Sequence, residues 1–245
     1  MIHLVIMIYA MTASWSWWWL FFTWQAAKIF NLFGHDIALH RLWSHQSFET
    51  TRTKEFILHL IALPLLYGSS LTYVGVHREH HQYADTDRDP HLKTWWEKLF
   101  YLRDPEYKMN IHLVKDLIRD PWHRFFHKHY IKLNLGLLIV CLTLFGPVFT
   151  GWTISFMAVY LWIGGFCINF FGHIPGLGYR NFDSPDNTTN SYFLQLIIPG
   201  TGLHNNHHTH SQEWNFAMKP GEVDFGAFVL KHTLMTKEDR LRKGV

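Results

Sequence analysis

The chain has 245 residues, a formal net charge of +3 and 48% hydrophobic residues. Its length suits one domain, and its small net charge gives no reason to expect a nucleic-acid partner. The mean hydropathy of −0.05 is that of a soluble protein, but the apolar residues are concentrated in blocks. Cys141 and Cys167 lie in one block, where we expect them to pack as small apolar residues without a disulfide.

The first apolar block begins near the start of the chain. Residues 4–27 contain no Asp, Glu, Lys or Arg, and five of the residues 15–24 are Trp, which favours a membrane interface. We predict that residues 4–38 form one long membrane segment, or a short hairpin that turns at the weakly polar residues 12–16. The block lacks the basic start and the cleavage site of a signal peptide.

The first histidine motif, HRLWSH, occupies residues 40–45. His40 and His45 are five residues apart, about 140° around an α-helix, so one α-helical face cannot carry both. We expect either that a helix ends between them or that they reach different metal ions.

The second apolar stretch, residues 56–76, leads directly into the motif HREHH at residues 77–81. If the two motifs share a metal cluster, a full crossing of the membrane would separate them. Pro64 and residues 68–70 (Gly-Ser-Ser) interrupt the stretch. We therefore predict that residues 56–76 lie at the interface, or dip into the membrane and return.

The longest apolar block, residues 133–172, contains no charged residue in 40 positions and is long enough to cross a bilayer twice. Residues 145–152 would form its turn. Basic residues precede the block and none lies in the turn, so the histidine motifs should face the cytoplasm. The basic residues are Arg119, Arg124, Lys128 and Lys132.

The third histidine motif, HNNHH at residues 204–208, repeats the HxxHH spacing of HREHH. Helix positions i, i+3 and i+4 lie on one face, so each copy should aim three imidazoles at one point. Imidazole suits iron, copper, zinc and nickel. Two copies of HxxHH, each near a long apolar run, are more than chance explains. We expect the other ten histidines to be structural or on the surface: His3, His35, His59, His91, His112, His123, His127, His129, His210 and His232.

These motifs together resemble the membrane fatty-acid desaturases, specifically the Δ9 acyl-CoA type. The resemblance covers about residues 30–215 and rests on HRLWSHQSF, HREHHQYADTDRDPH, NFFGH and GYRNFDSPDNTTN followed by GLHNNHH. It implies an all-α integral membrane protein, with three or four transmembrane helices under a helical cytosolic cap that carries a di-iron site. Residues 1–245 would form one desaturase domain, with membrane segments at 4–38 and 133–172, an interfacial segment at 56–76, and a cap made of 39–132 and 173–245.

The resemblance also implies the metal ligands and the cofactor, two non-haem iron ions. Asn169 matches an Asn that reaches an iron through water. The implied ligands are His40, His45, His77, His80, His81, His173, His204, His207 and His208. Acidic residues near these motifs are candidates to orient the imidazoles, although capping turns or pairing with basic neighbours is an equal alternative for each. They are Glu79, Asp85, Asp87, Asp89, Asp183 and Asp186.

The implied reaction removes two hydrogens from a saturated acyl chain, at C9–C10, using O2 and two electrons. No side-chain acid or base can abstract such a hydrogen, so the chemistry requires the metal.

The acyl group would be carried as a thioester or a lipid. The chain has no haem-binding HPGG motif, so we expect a separate electron donor of the ferredoxin, rubredoxin or cytochrome b5 type. We expect residues 28–33 to line the methyl end of the acyl tunnel. The location would be multi-pass in a membrane, the bacterial plasma membrane in our interpretation.

Two departures from the family pattern are visible. The first membrane helix of the family is only half present, and Tyr73 stands where relatives often have Trp. Three alternatives remain open at this point: an acyl-chain hydroxylase or another di-iron oxygenase, a haem-binding membrane electron carrier, and a membrane protein with structural zinc. HxxxxH in the first motif disfavours the hydroxylase, and the absence of His from residues 133–172 disfavours the haem carrier.

Overall fold

The computed structural model describes residues 1–91, 94–101 and 106–245. Among these residues it contains helices, turns and isolated β-bridges but no strand, so the prediction of an all-α fold is confirmed. Parts of the predicted cap, residues 92–93 and 102–105, lie outside the described residues. The α-helices are α1 Ile2–Ala13, α2 Trp17–Phe30, α3 Arg52–Ala62, α4 Ser70–Tyr83, α5 Trp95–Leu99, α6 Lys115–Ile118, α7 Pro121–Thr150, α8 Phe156–Phe171, α9 Tyr192–Ile197, α10 His204–Thr209, α11 Phe225–Thr233 and α12 Lys237–Lys243. Two π-helices, Asn31–Ser44 and Gly151–Ser155, and two 3-10 turns, Leu63–Leu65 and Ile111–Val114, complete the set.

The first apolar block breaks between α1 and α2, where the sequence suggested a turn. Ser16 caps the start of α2 by accepting a hydrogen bond from the Trp18 amide. Helix α1 lies against the start of the α8 arm, with His3 Nδ1 3.1 Å from Ser155 Oγ. The indole of Trp152 donates to the Ser14 carbonyl at 3.0 Å. Residues 4–38 are therefore not one continuous helix.

Helices α7 and α8 form the two arms of a hairpin. The helix is interrupted at Gly146, whose φ is 78°, a backbone conformation that glycine adopts at little cost. The amide of Gly68 donates to Tyr130 Oη on α7, and the neighbouring Tyr67 donates to the Leu161 carbonyl on α8. In a straight helix, residues 130 and 161 would be roughly 45 Å apart, so these two contacts require the chain to reverse. The predicted turn within residues 145–152 is confirmed.

The second apolar stretch is bent as predicted. Helices α3 and α4, with the 3-10 turn between them, meet at 81° across a short break. Pro64 lies in the 3-10 turn, and Leu66 adopts a left-handed conformation just before Gly68. The path therefore turns back toward the first histidine motif.

One described helical segment, Pro121–Phe171, is long and apolar enough by length and composition to cross a membrane, and the bent pair Arg52–Leu65 with Ser70–Tyr83 would add a second if counted as one span. Only 17% of the most apolar window of Pro121–Phe171 is buried. Its outward side chains include Ile131 and Leu144, which are 75% and 70% exposed. Exposed apolar side chains of this kind mark a surface that contacts a membrane or another protein.

The interior has two main cores. The larger one surrounds the π-helix Asn31–Ser44, with Ile37 and Trp43 packed against α3, α4 and α11. The other lies between α1, α2 and α8 around Trp152 and Leu161. The first histidine motif is thus at the centre of the packed part of the molecule.

Candidate metal centre

The structure brings all nine of the predicted histidine ligands together, in two neighbouring groups. Within each group the ligand atoms lie within 4.8 Å of one another. Cluster one is His40, His45, His77, His81 and His207. Cluster two is His80, His173, His204 and His208.

Helix type explains how His40 and His45 share cluster one. The segment Asn31–Ser44 is a π-helix, and the His45 amide donates to the His40 carbonyl at 3.1 Å. Because a π-helix bonds residues five apart, it returns the chain to the same side after five residues. The helix does end before His45, as one alternative expected. The other alternative, that the two histidines reach different metal sites, is wrong.

Each HxxHH motif divides its histidines between the clusters, and the expectation that each copy aims at one point is wrong. On α4, His77 and His81 enter cluster one and His80 enters cluster two. On α10 the division is reversed, with His207 in cluster one. Positions i+3 and i+4 point about 100° apart on an α-helix. A helix that lies between two sites can therefore supply both.

Three aspartates hold histidines of cluster two. The Nδ1 atoms of His80, His173 and His208 lie 3.0 Å from Asp89, 3.0 Å from Asp85 and 2.9 Å from Asp186. Contact at Nδ1 leaves Nε2 of each ring directed into the cluster, the arrangement that orients metal-bound histidines.

Glu79 and Asp183 have different surroundings. Glu79 accepts a hydrogen bond from Tyr107 Oη, and Asp183 is exposed.

The donor set fits metal ions. The Nε2 atoms of His80 and His208 are buried without a hydrogen-bond partner. Nε2 of His207 lies 2.9 Å from Nε2 of both His40 and His81. Buried imidazole nitrogens that lack partners or crowd one another are costly unless a cation binds them.

Burial keeps eight of these imidazoles neutral. It lowers the pKa of His204 to about 3, and neighbouring histidines add to the effect. The same two causes lower the pKa of seven further members of the clusters below the ordinary value of 6.5: His40, His45, His77, His81, His173, His207 and His208. A neutral imidazole is the form that binds metal.

Two arginines, each next to the first histidine of its motif, fix the elements that carry the histidines. Arg41 is fully buried and pairs with Asp36 and Asp224, each at 3.0 Å. It also donates to the carbonyl of Gly200, close before the third motif. Arg78 on α4 donates to the Ser44 carbonyl at the end of the π-helix. The sequence analysis did not identify this role, which the HR pairs in the motifs could have suggested.

The two asparagines of HNNHH anchor the short helix α10. Asn205 accepts hydrogen bonds from the amides of Asn181 and Phe182. Asn206 accepts from the side chain of Asn190 and donates to the Phe216 carbonyl. The polar loop at residues 178–190 thus holds the third motif in place.

A buried cavity of about 80 Å³ opens onto the clusters. Asn169 lines it beside members of both clusters, and the Lys98 ammonium donates to the Asn169 carbonyl at 2.9 Å. His35 and Tyr73, whose Nε2 and Oη atoms are 2.8 Å apart, also line this cavity, as does His91. His35 and His91 both belong to the ten histidines that the sequence analysis expects to be structural or on the surface. The position of His35 five residues before His40, the hydrogen-bond repeat of a π-helix, was the available signal that His35 lies near the clusters.

The sequence predicts that residues 28–33 line the acyl tunnel, but the cavity continues toward the apolar helices at a different place. Tyr67 and Tyr101 line both this cavity and a second one of about 580 Å³, which is also bounded by α8 and the start of α1. Residues 28–33 line neither cavity. Leu32 instead belongs to the larger core, with Phe33 packed against that core. The expectation that residues 28–33 line the tunnel is therefore not supported.

Comparison with known proteins identifies the family. The family model of the fatty acid desaturases matches residues 13–214, which include all nine histidines. The chain belongs to the fatty acid desaturase family.

Relatives of this desaturase act on different acyl carriers. It is 31% identical to the sn-1 stearoyl-lipid 9-desaturase of Anabaena variabilis, over 83% of this chain and 78% of that one. It is 29% identical to the Delta-9 acyl-lipid desaturase 2 of Arabidopsis thaliana, over 86% and 70%. An acyl-CoA 5-desaturase of Anemone leveillei is 27% identical over 94% and 73%. The enzyme is thus an oxidoreductase of fatty-acid metabolism.

Proposed function

We propose that the desaturase binds two iron ions, one in each histidine cluster, and inserts a cis double bond at C9–C10 of a saturated acyl chain carried as a thioester or a lipid. The observation that carries the proposal is the pair of adjacent all-histidine clusters, one anchored by three aspartates, beside a buried cavity. The position of the double bond rests on relatives named as 9-desaturases.

Iron supplies the chemistry that side chains lack, the O2-dependent removal of hydrogen from an unactivated –CH2–CH2– unit with two electrons from outside. The nine histidines would hold the iron. Asp85, Asp89 and Asp186 contact Nδ1 of three histidines of cluster two and fix the orientation of their rings. Asn169 lines the cavity, which suits contact with an iron through water.

The protein's own contribution is to position the acyl chain and exclude water. Val76 and Ile168 line the cavity beside His77 and His204, so the reacting carbons would lie against apolar atoms next to the clusters. The rest of the acyl chain would pass Tyr67 and Tyr101 into the larger cavity. Holding the reacting carbons at a fixed place converts random encounter into an oriented reaction.

We also propose how the enzyme lies in the membrane and how it receives electrons. The enzyme is one domain over residues 1–245, embedded in a membrane through residues 4–38 and the α7–α8 hairpin, with residues 56–76 at the interface. The cap faces the cytoplasm, the side rich in Lys and Arg. Electrons come from a separate carrier protein of the ferredoxin, rubredoxin or cytochrome b5 type.

The test is expression in a desaturase-deficient host, with the fatty acids and the double-bond position determined and iron counted in the purified protein. We expect a C9–C10 product and two irons per chain. His80→Ala and His207→Ala should each abolish the product while leaving membrane insertion intact. Asn169→Ala should reduce iron retention less than His173→Ala does.

Normal product from both His80→Ala and His207→Ala would contradict the assignment of the ligands. A hydroxylated acyl chain as the main product would favour the hydroxylase alternative.

A further inference from the structure

A third group of potential metal ligands lies outside the two clusters. It consists of Glu55 and His59 on α3 and His123 near the start of α7, with ligand atoms within 4.8 Å of one another. Glu55 and His59 are four residues apart and share one face of α3. The desaturase motifs do not include any of the three.

His59, a member of this group, has a buried ring nitrogen without a hydrogen-bond partner. Its ring lies between those of Trp43 and Phe126, with centroids 4.3 and 4.7 Å away and interplanar angles of 26° and 3°. The residue is 3% exposed, and its Nε2 atom is buried without a hydrogen-bond partner. With both ring faces covered, a partner can reach His59 only at its edge. A buried imidazole nitrogen without a partner is costly, so its retention requires an explanation.

The other two side chains are already oriented toward the same point. Nε2 of His123 lies 3.6 Å from Glu55 Oε1, while Nδ1 of His123 is held 2.7 Å from Ser70 Oγ. The indole of Trp43 donates to Glu55 Oε1, and Arg52 donates to Glu55 Oε2 at 2.6 Å. Hydrogen bonds of this kind, made by atoms that do not bind the metal, hold the ligands of a metal site in a fixed orientation.

We propose that Glu55, His59 and His123 bind one divalent transition-metal ion, with Zn²⁺ as the expected occupant. Two imidazoles and one carboxylate form a known zinc donor set that leaves one position for water. Ligands at 2.0–2.1 Å in a tetrahedron are roughly 3.3 Å apart, so the 3.6 Å separation of His123 and Glu55 is close to what an ion requires. The Glu55 side chain is 17% exposed beside the half-exposed Arg52, which gives the ion a route from the surface.

The position of this site predicts a structural role. The ion would connect α3 to α7. Through Trp43 and Ser70 it would also support the π-helix and α4, which carry the first two histidine motifs. It would act as a clamp on the scaffold of the metal centre and take no part in desaturation.

The experiment compares two histidines of α7. His123 contacts Ser70, and His127, one turn later, contacts Ser69 in the same way at 2.7 Å but lies outside the group. Iron-loaded, detergent-purified protein is dialysed against micromolar Zn²⁺, and iron and zinc are counted in the same sample. We expect one zinc per chain in the wild type and in His127→Gln, and none in His123→Gln, His59→Gln or Glu55→Gln. Zinc should also raise the Tm of the wild type and not that of Glu55→Gln.

A wild type that retains no zinc would overturn the proposal, as would three variants that bind as much as His127→Gln does. Glu55→Gln keeps the size of the side chain and an acceptor for Trp43, so it decides the matter if a histidine variant does not fold. Iron is also counted before the dialysis, where zinc cannot displace it, and that count reports separately on the two clusters. An iron count other than two would therefore contradict the proposed function while the zinc difference still tests this site.

Discussion

At the residue scale, the two clusters differ in what holds their histidines. Cluster two has three Nδ1 atoms within 3.0 Å of aspartates. In cluster one, Asp36 lies 3.7 Å from His40 Nδ1, and the Nδ1 atoms of His40 and His207 lack hydrogen-bond partners. Loss of an orienting carboxylate costs roughly 10–100-fold in metal affinity. In the proposed di-iron enzyme the aspartates should therefore affect the binding of one iron more than that of the other.

This difference predicts a selective loss of metal. Asp89→Asn and Asp186→Asn should each lower iron retention in cluster two, so that under a chelator wash the count falls from two irons toward one per chain, with most of the activity lost. Asp183→Asn is the matched control, because Asp183 is exposed and lies in the same loop as Asp186. Equal loss of both irons, or full retention in both variants, would contradict the asymmetry.

At the element scale, the decisive feature is the bend between α3 and α4. Cluster one contains His40 and His45 from before this pair and His77 and His81 from its end. Because both ends of the pair meet at one cluster, we expect them to lie on one side of the membrane, with the chain turning at the 81° bend between α3 and α4.

The bend predicts a pattern of surface labelling. Cys141 and Cys167 would first be replaced by Ser, and single cysteines then placed at Glu49, Thr86 and Leu144, which are exposed. An impermeant thiol reagent applied to sealed cells should reach position 144 and leave 49 and 86 protected until the cells are opened. Opposite labelling of 49 and 86 would mean that the pair crosses the membrane.

At the scale of the whole molecule, the buried histidines link stability to pH. Burial lowers the folded-state pKa of eight of the nine cluster histidines below the ordinary 6.5. Between the folded and the unfolded pKa, the unfolded chain binds more protons. The free energy of unfolding is therefore at its full value above about pH 6.5 and decreases as the pH falls, by about 1.4 kcal/mol per pH unit for each such histidine.

Metal-free protein in detergent should therefore unfold steeply on mild acidification. Iron-loaded protein should withstand a lower pH, because protons must displace the metal first. Circular dichroism during a pH titration from 7.5 to 4, with and without iron, measures both curves. A metal-free protein equally stable at pH 7 and pH 5 would contradict the burial of neutral imidazoles.

Much of this molecule could be predicted from the sequence, because the relevant signals are local. The α7–α8 hairpin follows from an uncharged apolar run with Gly146 near its middle, and the bend near Gly68 follows from breakers in a short apolar stretch. The nine histidines could be named because their spacing is dense and matches a family.

Tertiary structure alone decided how those histidines are divided. Whether His80 joins His77 depends on where the neighbouring helices place a second site, which α-helical spacing does not specify. The union of His40 and His45 depends on a π-helix, which a spacing of five residues is compatible with but does not by itself specify. His59 and His123 are 64 positions apart in the chain, each without a motif, and only the packing of α3 against α7 brings them together. Spacing fixes which side chains share a helix face, whereas contacts between distant segments determine what each face meets.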